Sequence, residues 1–241
     1  MGRLSFKLLA CCFGKANIEE DKSDSLKQDP VTETCEGLEK SKCDPVIHIR
    51  VLEDSHSQEI SFSSTELPAT FGTGPDCSFC LQNSGNVQFR IGYDESQGFE
   101  VERQTGAGPF FKVIGPVEVG EELGVNFGYE NYMRLAIVTG SMLKVQFLEG
   151  EKAGLTLTFR PKDSPVHLGR MKDCKLKFDD AGLSRYQCVL LCESGRWQVQ
   201  DGDGVRASTN GTWALVKGKK TLQGSTLLKA GGVLIEAAIA I

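Results

Sequence analysis

From Leu168 to Trp213 the chain carries L-G-R-M-K-D-C-K-L-K-F-D-D-A-G-L-S-R-Y-Q-C-V-L-L (168–191), then G-R-W-Q-V-Q-D (195–201) and S-T-N-G-T-W (208–213). The apolar runs Cys188–Cys192 and Trp197–Val199 alternate with polar residues as half-buried strands do. The loops between such runs collect Arg170, Ser184, Arg185, Thr209 and Asn210. Two guanidiniums, two hydroxyls and an amide suit a phosphate with a stretch of peptide backbone beside it. Taken singly, each is ordinary surface or turn chemistry, and Asn210-Gly211 is the favoured tight-hairpin pair. Their concentration on loops between short strands favours binding.

Composition agrees with a globular chain and removes several alternatives. Of the 241 residues, 40% are hydrophobic and 24% charged, ordinary proportions for a soluble domain. Nine cysteines at irregular spacings, behind no signal-type segment, predict free thiols in an intracellular, cytoplasmic setting. The three histidines, His48, His56 and His167, form no zinc spacing and no His-centred triad, so the reading is non-enzymatic, with no cofactor. Asp201 and Asp203 stand in a D-G-D-G run without EF-hand spacing, which reads as a turn, and no metal is expected. Cys77 and Cys80 would face opposite sides of a strand, which argues against a metal half-site.

Charge is uneven along the chain. Residues 1–42 carry net −1, 43–140 net −9 and 141–241 net +5, making the overall −5. The basic part holds the polar loops, so an anionic ligand is steered towards it. An acidic chain without interleaved Arg and aromatic residues does not suit nucleic acid.

Residues 1–42 read as a disordered tail rich in Ser, Asp, Glu and Lys. Its start, M-G-R-L-S-F-K-L-L-A-C-C-F-G-K, has two readings. Myristoyl on Gly2 with palmitoyl on Cys11 or Cys12 makes the two-signal anchor that stable attachment to a membrane surface requires. A short helical start without lipid is the other, since Phe6 stands where the myristoylation pattern wants Ser or Thr.

Residues 46–138 read as all-β, with strand-like runs Val46–Leu52, Glu59–Ser63, Ala69–Phe71, Ser78–Leu81, Val87–Tyr93, Phe99–Arg103 and Phe110–Ile114. The residues from Glu130 to Ile137 form one further strand leading into the next unit. The second half repeats this order. V-I-H-I-R-V-L-E (46–53) matches L-K-V-Q-F-L-E (143–149), and A-T-F-G-T (69–73) lines up with V-H-L-G-R (166–170) at a shift of 97. Phe99 falls on Trp197. In the first copy Thr73 replaces Arg170, Gly85 follows Ser84, and T-G-A-G-P (105–109) replaces the Asn-Gly-Thr turn. The phosphate-type groups are gone from it.

The second copy resembles the forkhead-associated (FHA) domain. The resemblance rests on Gly169-Arg170, then Ser184-Arg185, then Trp197-x-Val199-x-Asp201, then Asn210-Gly211-Thr212. It implies β-sandwiches whose loops at one end bind a phosphothreonine peptide. Arg170, Ser184, Arg185, Thr209 and Asn210 would make the contacts, with Gly169, Gln187 and Gly211 shaping the loops. Gln187 stands where the family often has a His that braces those loops. The expected architecture is a tail (1–42), a degenerate FHA-like sandwich (43–140) and an FHA sandwich (141–241). The expected function is a phosphothreonine-peptide-binding adaptor with phosphorylated proteins as partners and no small-molecule substrate. A phosphate-independent assembly module is the alternative.

Overall fold

The fold is known from a computed structural model that describes residues 44–52, 57–81, 88–106 and 108–240. The tail with Gly2, Cys11 and Cys12 lies outside the described residues, as do His56, Ser84 and Gly85. Strands make up 56% of the described residues, with turns, loops and three short 3-10 segments between them and no α-helix. Seven strands come first: β1 (Val46–Leu52), β2 (Ser57–Ser63), β3 (Ala69–Gly72), β4 (Phe79–Cys80), β5 (Gln88–Asp94), β6 (Gly98–Thr105) and β7 (Phe110–Lys112). Three follow as β8 (Val117–Glu118), β9 (Glu122–Phe127) and β10 (Asn131–Val138). The later series is β11 (Met142–Glu149), β12 (Thr156–Phe159), β13 (Val166–Gly169), β14 (Leu176–Lys177), β15 (Cys188–Glu193), β16 (Arg196–Asp201) and β17 (Thr212–Leu215). It closes with β18 (Lys219–Thr221), β19 (Ser225–Ala230) and β20 (Val233–Ile239). Alternation drives these elements. In β1, Ile47, Ile49 and Val51 are buried while His48 and Arg50 face solvent, the period of a half-buried strand.

The early and late series pair alike. β3 runs parallel to β4 and antiparallel to β5, and β5 pairs with β6. β13 runs parallel to β14 and antiparallel to β15, and β15 pairs with β16. A single ten-stranded sheet then runs β12-β11-β10-β9-β17-β7-β19-β20-β1-β2. One five-stranded sheet has the order β14-β13-β15-β16-β8, the other β18-β6-β5-β3-β4.

Two cores result, and they divide the chain differently from the expected halves 43–140 and 141–241. One core draws every buried member from between Val113 and Ala214. The other combines Ile47 to Val101 with Val216 to Ala237. Residue 140 lies inside the first: Leu135 and Val145, on either side of it, are paired neighbours in that core. The cause is the connection Thr139–Ser141 between β10 and β11. So short a link joins antiparallel neighbours, and it ties the last early strand to the first late one. The final strand β20 is left to pair with β1. The central unit thus sits in the chain as an insertion, entered after β7 and left through β17. Those two strands are adjacent, with Lys112 opposite Trp213. Close ends are what an inserted unit requires.

Candidate functional site at one end of the central unit

Three loops meet at the end of the β13-β15-β16 sheet: the one after β13, the one entering β15, and the one from β16 to β17. Gly169 ends β13 against the second loop, where a Cβ would collide with the carbonyl oxygen of Arg185. Only glycine lets the strands approach this closely. Arg170 N–H donates to Ser184 O at 3.2 Å and Met171 N–H to Arg185 O at 3.1 Å, which ties the first two loops together.

The second and third loops are joined through Ser184. Its hydroxyl donates to Thr209 Oγ1 at 3.3 Å and accepts from Thr209 N–H at 2.8 Å. Asn210 Nδ2 donates to Gly182 O at 3.0 Å. Beneath them lies Gln187, fully buried. Its Oε1 accepts from Ser184 N–H at 3.1 Å, and its Nε2 donates to Ser208 Oγ at 2.9 Å and to Gly211 O at 3.0 Å. Thr212 returns a hydroxyl to Gln187 O at 3.1 Å. One amide therefore holds both loops, and a planar group with an acceptor at one oxygen and two donors at the nitrogen is suited to that bridging.

These loops border a cleft of about 380 Å³ whose lining includes Arg170, Ser184, Arg185, Arg206 and Thr209. Four of the five residues singled out in the sequence are thus brought together. The fifth, Asn210, is turned beneath the loop to Gly182 and is absent from the lining. Arg170, Arg185 and Arg206 are all exposed. Among the described residues none of the three guanidiniums has a carboxylate within ion-pair distance. Asp203 also lines the cleft, but its Oδ1 takes the N–H groups of Arg206 at 2.6 Å and Val205 at 2.9 Å. Those N–H groups hold its carboxyl below the usual range. At the rim Tyr186 donates its hydroxyl to Asp173 at 2.6 Å, and that bond raises the phenol above its ordinary value. An electropositive cleft with hydroxyl donors can hold a phosphoryl group in charge-assisted hydrogen bonds.

Three parts of this site escaped the sequence reading. Arg206 was passed over inside a loop read as a turn; a third Arg on a loop already credited with Thr209 and Asn210 was the available signal. The bridging capacity of Gln187 follows from its fold partners alone. The turn between β9 and β10 reaches the site from outside Leu168–Trp213. A Cβ on Gly128 would meet Leu183, and Tyr129 lies beside Gly182.

Comparison with known families gives one match: residues 166–235 match the FHA domain. No curated protein and no solved structure matches the chain. FHA domains are phosphopeptide-binding modules rather than enzymes. The matched segment contains every polar group of the cleft named above and runs on into β18 to β20 of the other core.

Proposed function

We propose that the chain is a non-enzymatic adaptor whose cleft binds phosphothreonine-containing protein segments. The observation that carries this reading is the cleft itself. Arg170 and Arg185 line it together with the hydrogen-bonded Ser184 and Thr209, and neither guanidinium makes an ion pair with a described carboxylate. The phosphate would take the guanidiniums and the Ser184 hydroxyl, and the peptide backbone would run along the Thr209 loop. Losing one hydrogen bond to a charged group costs about 1.5–3 kcal/mol, roughly ten- to a hundredfold in affinity. Fluorescence anisotropy with a phosphothreonine peptide library tests this. Wild type should bind phosphorylated peptides selectively, and Arg170→Ala and Ser184→Ala should each lose that binding. Equal retention of phosphorylated and unphosphorylated peptides by wild type refutes it.

The early strand series is proposed to be a second copy of the same plan without phosphate chemistry, since Thr73 occupies the place of Arg170. Its recurrent strand pairing supports this. A phosphate-independent assembly role is the second reading. It is favoured by one observation: Ser184, Thr209 and Asn210 already satisfy one another or the backbone. If Gly2 and Cys11 or Cys12 are acylated, the adaptor is tethered to a membrane. Alkyne fatty-acid labelling that marks wild type but not Gly2→Ala is the expected result, and an unlabelled wild type removes the tether.

A further inference from the structure

A phosphate held by Arg170 and Arg185 leaves one guanidinium of the cleft unused. Arg206 lines the same cleft from the third loop and enters no ion pair with a described residue. Its loop is built tightly. Ser208 N–H and Oγ bond the Asp201 carboxylate at 2.9 and 2.7 Å. Asp203 N–H donates to Arg206 O at 3.2 Å. The same loop requires glycine at 202, where a Cβ would strike the Arg206 carbonyl. The backbone that carries Arg206 is therefore fixed, while its guanidinium makes no ion pair with a described residue.

Asp203 is the one acid in the lining among the described residues. Its Oδ1 is engaged by two backbone N–H groups of its own loop, and the carboxylate makes no ion pair with Arg206. A third exposed guanidinium has little to gain from the same phosphate, whose oxygens are already met by two guanidiniums and a hydroxyl. It is well placed for another anionic group on the same ligand. Arg is suited to either a phosphoryl or a carboxylate group, both of which accept its planar fork.

We propose that Arg206 forms a second anion subsite, so that the preferred ligand carries a further anionic side chain, phosphoryl or carboxylate, near its phosphothreonine. This rests on the phosphothreonine reading of the cleft and specifies its ligand class.

The test uses the full chain and anisotropy titrations of peptides with a single phosphothreonine in a neutral background. Aspartate, or separately phosphoserine, is then placed at each flanking position in turn. At least one register should bind on the order of tenfold more tightly than the singly phosphorylated parent. The aspartate and phosphoserine series distinguish which anion is preferred. Arg206→Gln should remove that gain, so that the variant binds the doubly anionic peptide no more tightly than it binds the parent. Arg196→Gln, at the opposite end of the β15–β16 hairpin, controls for net charge and should retain the gain. No gain in any register, or a gain that survives Arg206→Gln, overturns the subsite. A gain lost equally in Arg196→Gln also overturns it, because it would then reflect overall charge. If wild type binds the parent, failure falls on the subsite alone. If it binds no phosphothreonine peptide, the parent reading fails and the subsite with it.

Discussion

Gln187 carries more of the site than any residue that touches the cleft. A buried amide with both ends used is an all-or-nothing device, because each abandoned partner becomes an unsatisfied polar group. Gln187→Leu keeps the volume but strands Ser184 N–H and the carbonyl of Gly211. Each stranded group costs about 1–3 kcal/mol, so the urea midpoint should fall clearly with little change in slope. Phosphopeptide affinity should fall as well, because the Ser184 and Thr209 loops lose their common anchor. An unchanged midpoint would mean that the Ser184–Thr209 and Asn210–Gly182 bonds hold the loops without Gln187. The sequence shows only a Gln three residues after Ser184. Whether an amide can do the bridging depends on where Ser208 and Gly211 arrive, and no local pattern contains that.

The strands themselves were largely legible, because alternation is a local signal. The run Val46–Leu52 matches β1, and the expected strand from Glu130 to Ile137 is β10 displaced by one residue. Less visible was β9, whose E-L-G-V-N-F (122–127) holds a buried glycine where a larger side chain cannot fit. A Cβ on Gly124 would crowd the Tyr132 ring. Least visible was the seam where β7 meets β17, since pairing partners far apart in sequence leave no period. Across this seam Lys229 of β19 donates to Asn126 Oδ1 of β9 at 2.7 Å. Burial holds the Lys229 ammonium below its ordinary pKa. The unfolded chain then keeps its proton to higher pH than the native one. Native stability relative to a Lys229→Met variant should therefore be lowest at neutral pH. It should rise as pH climbs through the depressed folded value towards that of a free lysine. Paired urea titrations from neutral to alkaline pH read this directly. A constant difference between the two proteins would show that Lys229 titrates alike in both states.

For the molecule as a whole, the two cores are out of step with the halves 43–140 and 141–241. Which strands close which core depends on connection lengths. A three-residue link at Thr139–Ser141 makes β10 and β11 neighbours, which leaves β20 to pair with β1. A piece cut at the apparent repeat boundary, 141–241, lacks Val113, Val119, Leu123, Val125, Phe127, Met133 and Leu135 from the central core. At about 1.5–3 kcal/mol per buried apolar side chain, seven such losses reach about 10–20 kcal/mol. The whole stability of a domain is typically about 5–15 kcal/mol. It also keeps β18 to β20, whose apolar faces pack on the other core. The piece 113–214 keeps every buried member of that core and has its ends beside each other, Val113 N–H donating to Thr212 O at 2.9 Å. It should unfold in one cooperative transition as a monomer and retain phosphopeptide binding, while 141–241 should be molten or self-associate. Thermal unfolding and light scattering on the two pieces decide between them. Should 141–241 instead fold cooperatively and bind, its β20 must be able to take the place of β10 against β11, and the insertion would be one of two closures open to the same strands.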